Sequence, residues 1–233
     1  SKKLDFDKAL EYHQKSLKIR KEHFNDNHPD VASSYNSIGY VYYKKLMFDK
    51  ALKYFERGLK IKKDVLGEKH PDVASSYYNI GHIYDSFSLY DEAIRYFYKG
   101  LSIRKDAFGD NHPKVASSYC YIGLAFHHKS EYHKALDYYQ KCLKIRLELF
   151  GENNLDVADS YNNIAGVYGF ISEYNKAIDN FEKALEIRIK LVGENNSEVA
   201  SYYNNIAYVY DAKSEYDKAL YYYKKSLKIR KEL

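Results

Sequence analysis

The sequence has few of the residues that build disulfide-bonded folds or membrane spans. Its 233 residues include two cysteines, three prolines, one methionine and no tryptophan. Two cysteines, Cys120 and Cys142, are too few for a disulfide framework, and no charged-then-apolar leader opens the chain, so we expect a reducing, cytoplasmic setting. No apolar stretch approaches the ~18 residues that a membrane span needs, so no membrane partner is expected. The first residue, Ser1, lies inside a repeated pattern, which suggests a piece of a longer array.

Charged residues of both signs are interspersed along the chain. The formal net charge is +5, and cationic runs recur as KIRK at Lys18 and Lys228 and as KIKK at Lys60. Cations in the last turns of a helix complement its dipole, so we interpret these runs as solvated. Because acidic residues interrupt the basic ones and most aromatic residues occupy packing positions, nucleic acid is not an expected partner.

The sequence contains no pattern typical of catalysis. It lacks a nucleophile and base signature, a phosphate loop and a metalloprotease helix. The one cluster of metal-binding residue types comprises Cys120, His127, His128 and His133, with His82 and Asp85 from the preceding repeat. On a helix Cys120 and His127 share a face but lie about 10 Å apart, too far to bind one zinc ion without a third element. We therefore predict that the protein is not an enzyme and has no metal or cofactor.

Repetition at a spacing of 42 residues is the dominant feature of the sequence. The segment HPDVASSYNSIGYVYY beginning at His28 returns at His70 and His112 and, in altered form, at Asn154 and Asn196. No insertion or deletion interrupts the period. Such self-similarity is typical of stacked units, each of which buries its apolar face only against a neighbour. The length of the chain therefore does not indicate two globular domains.

Each repeat contains two helical patterns, which we call helix A and helix B. In the first full repeat, helix A is predicted from about Pro29 to Lys45, because proline suits the first helical position. Helix B follows and ends at Gly67, where glycine adopts a positive φ at little cost. At the start of helix B, Ser88 and Asp91 have the spacing of a capping box, as do Ser214 and Asp217. We predict an all-α chain of about eleven helices, one lone helix B followed by five pairs.

The repeat motif resembles the tetratricopeptide repeats, and more narrowly the 42-residue variety seen in kinesin light chain. The residues that carry the resemblance are Tyr35, Ile38, Gly39 and Tyr42 in helix A, Phe48, Ala51, Phe55 and Gly58 around helix B, and YNNIA at Tyr161 and Tyr203. The resemblance implies a right-handed superhelical solenoid of antiparallel helix pairs with helices A on its concave wall. It covers one array, residues 1–233, composed of a half repeat (1–27) and the repeats 28–69, 70–111, 112–153, 154–195 and 196–233.

An inward-facing stripe of helix A is where the resemblance places the binding site. Asparagine recurs there, although it is a poor residue for a helix interior. Because an amide both donates and accepts, a row of asparagines can pair with the peptide groups of an extended segment, and tyrosines can add apolar area. The predicted peptide-binding residues are Asn36, Tyr40, Tyr78, Asn79, His82, Tyr121, Asn162, Asn163, Asn204, Asn205 and Tyr208. The alternative is that each amide ties neighbouring helices A together.

These observations predict a protein-interaction module that binds an extended peptide or short linear motif of a partner protein, as a scaffold or adaptor. Lys44 is the only inward-facing lysine, so a carboxylate clamp for chaperone tails is not expected. A second hypothesis is a structural spacer or self-associating array that stacks end to end through exposed terminal helices. A third is a segment that restrains another domain of a signalling protein.

Overall fold

The fold is all-α, as predicted. The computed structural model describes the backbone of residues 2–233 and the side chains of residues 5–233, and within this range it contains eleven helices and no strand. The helices are α1 (Lys2–His23), α2 (Pro29–Lys44), α3 (Phe48–Leu66), α4 (Pro71–Ser86), α5 (Tyr90–Phe108), α6 (Pro113–His128), α7 (Tyr132–Phe150), α8 (Leu155–Phe170), α9 (Tyr174–Val192), α10 (Ser197–Ala212) and α11 (Tyr216–Glu232). Of the helices described, none is long and apolar enough to cross a membrane.

Helices A and B alternate with a regular geometry. The five helices A are the even-numbered ones, and each has 16 residues. Helices α3, α5, α7 and α9 are helices B of 19 residues. A turn as short as residues 45–47 joins each helix A to the helix B that follows it. So short a connection makes the two helices antiparallel neighbours.

Helix A begins where the sequence predicts. Pro29 is the first residue of α2, and the Nδ1 atom of His28 caps the helix by accepting the backbone N–H of Asp30 at 3.2 Å. At the start of α8, the Oδ1 atom of Asn154 accepts the backbone N–H of Asp156 at 2.8 Å. Proline fits the first position because the N–H that it lacks would have no partner inside the helix.

The two ends of helix B differ in how well they were predicted. Gly67 ends α3 with φ 85° and ψ 158°, a conformation that is essentially open only to glycine. The capping-box prediction is wrong, because Ser88 and Ser214 lie in the preceding turn with φ of 60° and 63°. The N-cap residues are Leu89 and Glu215, whose side chains make no capping hydrogen bond. The tight turn needs one residue with positive φ, and serine occupies that position.

The chain divides into two compact units, each of which we describe by itself: an N-terminal unit of residues 1–110 and a C-terminal unit of residues 111–233. Within a unit, each helix A packs on the helix B that follows it, and that helix B packs on the next helix A, as α3 does on α4 and α7 on α8. The periodic small residues form the centre of these contacts. Those completely buried include Val31, Val73, Val115, Val157, Val199, Ala51, Ala93, Ala135 and Ala177.

In several of the basic segments near the end of helix B, one cation lies in the contact with the next repeat. Arg20 donates to the carbonyl oxygen of Asp30 at 3.0 Å and to the Oγ atom of Ser34 at 2.8 Å. Arg146 makes equivalent bonds to α8. Lys62 is only 7% exposed, and burial lowers its pKa. The solvated interpretation is wrong for these three side chains, because the first-turn carbonyl groups of the next helix A accept their hydrogen bonds.

The two cysteines form a disulfide, which corrects the expectation of reduced thiols. The Cα atoms of Cys120 and Cys142 lie 5.7 Å apart on α6 and α7, and the residues are 22 positions apart in sequence. The equivalent residues one repeat earlier, Tyr78 and Gly100, are also 22 positions apart, and the tyrosine ring lies against the glycine. Counting cysteines missed this pair because antiparallel packing brings the two positions together. No cluster of three or more His, Cys, Asp or Glu residues suited to a metal ion occurs in the described part of the chain.

Candidate functional site

A groove in the C-terminal unit is the candidate site. It has a volume of about 690 Å3 and is lined chiefly by three successive helices A, which are α6, α8 and α10. The structure brings together here five of the predicted site residues, Asn162, Asn163, Asn204, Asn205 and Tyr208. The helical register explains the convergence, because residues three or four positions apart lie on one face of a helix.

The floor of the groove is open because α8 carries glycine at two positions of the inward stripe. At the same positions α6 carries Leu124 and His127, and α10 carries Tyr208 at the first. A Cβ atom added to Gly166 would meet nothing within 4 Å, and one added to Gly169 would lie 3.8 Å from the nearest atom, on Val209. The space therefore comes from missing side chains rather than from separated helices.

Other helical glycines of the chain have a packing role that Gly166 lacks. A Cβ atom on Gly123 would lie 2.9 Å from the ring of Tyr139, and one on Gly39 would lie 2.9 Å from the ring of Phe55. These glycines allow helix B to approach helix A closely. Gly166 makes no comparable close approach, so packing does not explain why glycine occupies that position.

An aromatic cluster borders one side of the groove. Phe170 is 63% exposed, yet its ring lies 4.9 Å edge-on from His127 and 5.6 Å in a stacked arrangement from Tyr132. Aromatic pairs at such distances hold one another in place. Burial lowers the pKa of His127, and its neighbour His128 lowers that pKa further. The imidazole of His127 is therefore mainly in its neutral form near pH 7, and it presents an aromatic, uncharged surface to the groove.

The four asparagines of the groove divide into two pairs with different roles. The Nδ2 atom of Asn205 donates to the Oδ1 atom of Asn162 at 3.3 Å, so these two amides tie α8 to α10. This is the alternative that the sequence left open. Asn163 and Asn204 have no side-chain hydrogen bond to other described residues and line the groove with free amides. Only the second pair keeps its full capacity for a ligand.

A polar network next to the asparagine bridge also links α8 to α10. The buried Arg188, on α9, forms ion pairs with Asp159 on α8 and Glu198 on α10. The hydroxyl group of Tyr202 donates to Asp159 at 3.2 Å. Burial, the largest effect, raises the pKa of Tyr202 to about 12, so the hydroxyl remains protonated and can donate. This network was not predicted from the sequence, and it fixes the spacing of the two helices beside the groove.

Tyr78 was predicted to contact a ligand, but the structure contradicts this. It is 3% exposed, and its hydroxyl group donates to the carbonyl oxygen of Phe97 at 3.3 Å. Its ring stacks on that of Phe97 and covers Gly100, which has no side chain to oppose it. Because Gly100 on helix B has no side chain, the ring of Tyr78 packs against it in the core.

Asn36 is also turned toward helix B. Its Oδ1 atom is buried against Gly58 and has no hydrogen-bond partner among the described residues. His82 is half-buried on α4, with its ring edge-on to Phe97 at 5.2 Å. Burial lowers the pKa of His82, an effect that Asp85 partly opposes. Both residues were predicted to contact a peptide, but both side chains are partly buried.

The three remaining predicted residues are accessible to different degrees. Tyr40 is 54% exposed on α2, with the Nζ atom of Lys44 at 5.1 Å from its ring centre. Asn79 is half-buried on α4. Tyr121 is half-buried on α6 and is not among the residues that line the groove. Conversely, His127, Gly166 and Phe170 line the groove although they were not among the predicted peptide-binding residues. The departure of Gly166 from its repeat equivalents is visible in the sequence.

The chain is similar to known proteins of one family. The family model described as tetratricopeptide repeat matches residues 2–64, 47–106, 88–148, 115–190 and 156–232. Among curated proteins no match is found. The family resemblance stated from the motif is thereby confirmed.

Solved structures similar to this chain share its fold. BtubC (BKLC) from P. vanneervenii has a TM-score of 0.83 and 21% identity, over 97% of this chain and 91% of that one. A putative kinesin light chain of P. anserina with nearly identical TPR-like repeats has a TM-score of 0.75 and 16% identity, over 88% and 97% of the two chains. The apo form of RapI has a TM-score of 0.74 and 20% identity, over 95% and 59%. At these identities the likeness extends to the fold alone.

Proposed function

Because the chain belongs to the tetratricopeptide repeat family, whose repeats generally form protein-interaction modules, we propose that it binds an extended segment of a partner protein in the groove of its C-terminal unit. The observation that carries the proposal is a groove with two free amides, Asn163 and Asn204, beside an open floor. The proposed role is that of an adaptor or scaffold, with no reaction and no cofactor. We also propose that residues 1–233 form a single array.

The free amides suit the backbone of an extended segment. Each amide can donate to a peptide carbonyl and accept from a peptide N–H. Hydrogen bonds of this kind contribute only about 1 kcal/mol each, so two asparagines give weak affinity on their own. Apolar contact with the groove must supply the remainder. Tyr208 and Phe170, 67% and 63% exposed, offer large apolar surfaces for it.

The experiment is a selection of random and proteome-derived peptides on the purified chain, repeated on two matched double variants. Asn163→Ala with Asn204→Ala removes the free amides, and Asn162→Ala with Asn205→Ala removes the bridge between helices. Peptides enriched by the parent are expected to be lost by the first variant while circular dichroism stays unchanged. Absence of enrichment, or enrichment indifferent to the first variant, would refute groove binding.

The bridge variant separates a contact from a structural effect. Removal of Asn162 and Asn205 loosens α8 from α10 without removing a free amide, so weaker binding should accompany lower thermal stability. The free-amide variant should weaken binding at unchanged stability. If both variants lose binding only in proportion to lost stability, the asparagines support the fold and do not contact the peptide.

Self-association is a second candidate function, favoured by one exposed face. Leu220 and Leu227 on α11 are each 52% exposed, whereas their equivalents on α9, Ile178 and Leu185, are 7% and 8% exposed. In end-to-end stacking, a second copy of the chain would cover this apolar face. Sedimentation equilibrium over a concentration series tests it, with Leu220→Lys and Leu227→Lys as the disrupting change. A monomer at every concentration would exclude this function.

A further inference from the structure

Resting on the proposed function, we infer that the groove selects its partner segment by one large, uncharged, apolar side chain, which occupies the space that Gly166 and Gly169 leave open on α8. The asparagines contact the backbone of the segment and are indifferent to its sequence. The open floor is the part of the groove that can distinguish one side chain from another.

The first support is the position of the space. It lies on the same helix as Asn163, one turn further along, so a segment held by that amide presents a neighbouring side chain to the floor. The volume of about 690 Å3 is within the range of sites that enclose a ligand. Phe170 stands at one edge of the space and Val209 at another, and both are apolar.

The second support is the charge of the lining. No Asp, Glu, Lys or Arg is among the residues that line the groove. A charged side chain seated there would lose its hydration and find no carboxylate, ammonium or guanidinium group to pair with, which is strongly unfavourable. An uncharged apolar side chain gains from leaving water and from contact with the aromatic wall. The complementary ligand is therefore apolar at this position.

The third support is that glycine is costly in the middle of α8. Glycine weakens a helix interior relative to alanine because it loses more conformational freedom on folding. At Gly123 a close contact with helix B explains the glycine, but at Gly166 a Cβ atom would meet nothing. Helix stability favours a residue with a side chain at position 166, and the surroundings leave room for its Cβ atom. The feature that a larger residue would remove is the open floor.

The test uses a random peptide library displayed on phage, selected on the parent chain, on Gly166→Tyr and on Gly166→Ala. Gly166→Tyr reproduces the residue that α10 carries at this position and fills the floor. Gly166→Ala adds one methyl group and leaves the floor open. Peptides selected on the parent are expected to share one position occupied by Phe, Tyr, Trp, Leu, Ile or Met. They should bind Gly166→Tyr about 10- to 100-fold more weakly and Gly166→Ala about as well as the parent.

The outcomes separate this inference from the proposed function. Peptides that lose binding on removal of Asn163 and Asn204 but bind Gly166→Tyr as well as the parent would overturn side-chain selection and leave groove binding standing. Selected peptides that share a charged residue would also overturn the inference. If the parent enriches no peptide, both proposals fall. Circular dichroism of each variant excludes loss of fold, and a Cβ atom at position 166, which both variants add, would meet nothing within 4 Å.

Discussion

Reduction of the Cys120–Cys142 disulfide is expected to lower the free energy of unfolding of the C-terminal unit by about 3 kcal/mol. The cysteines are 22 positions apart, and the entropy of closing a loop of that length in the unfolded chain gives this magnitude at 25 °C. In a repeat array each unit contacts only its neighbours, so the loss should be concentrated in α6 and α7. Amide hydrogen exchange of these two helices, with and without a dithiol reductant, is the direct assay.

A matched variant separates the covalent bond from the packing of the two positions. The fourth repeat carries Asn162 and Ala184 where the third carries Cys120 and Cys142. The double variant Cys120→Asn with Cys142→Ala should therefore fold, and the reductant should no longer change its amide hydrogen exchange. Titration of thiols in protein purified without reductant should find none that react. The disulfide would be contradicted if two thiols react, or if the reductant leaves the amide hydrogen exchange of the parent protein unchanged. Either result would support a pair of reduced cysteines.

Three further changes test other parts of the fold. Ser172, at φ 62°, should become more favourable as glycine, and Ser172→Gly is expected to stabilise the chain by about 0.5–1 kcal/mol in urea unfolding; destabilisation would refute the turn geometry. Gly166→Ala should also stabilise by about 0.5–1 kcal/mol, whereas Gly123→Ala should destabilise because its Cβ atom would lie 2.9 Å from the ring of Tyr139; equal effects would contradict the distinction between the two glycines. Burial lowers the pKa of His82 below the unfolded value of about 6.5, so its contribution to stability is complete above that pH and is lost as pH falls toward the folded pKa. Unfolding midpoints measured across this range should fall more steeply for the parent than for His82→Gln, and parallel curves would contradict the burial.

Most of the secondary structure could be predicted because it depends on local chemistry. Pro29 and His28 mark the start of a helix by the geometry of the first turn, and Gly67 marks an end by its backbone conformation. The capping boxes predicted at Ser88 and Ser214 were wrong, because local chemistry allows more than one role for serine. Serine serves both as a cap and in a turn, and the sequence does not distinguish the two when the connection is only three residues long.

The candidate site could be predicted only in part. Helical spacing placed Asn163 and Asn204 on the stripe that lines the groove, because which face a residue occupies follows from its register. The same register placed Tyr78 there, but its side chain turned into the core over Gly100, since the outcome depends on what the opposite helix offers. A stripe predicts candidates, and the neighbouring helix decides which of them reach the groove.

The sequence by itself determined the period of 42 residues, the alternation of two helices and the residues that pack between them. These follow from turn chemistry and apolar spacing, which act over a few residues of one chain segment. Tertiary structure alone decided that Cys120 meets Cys142, that Asn162 pairs with Asn205, and that the space beside Gly166 is open. Each of these depends on atoms from different helices that approach within a few ångströms, and their separation is fixed by the packing of whole helices rather than by the order of residues along one of them.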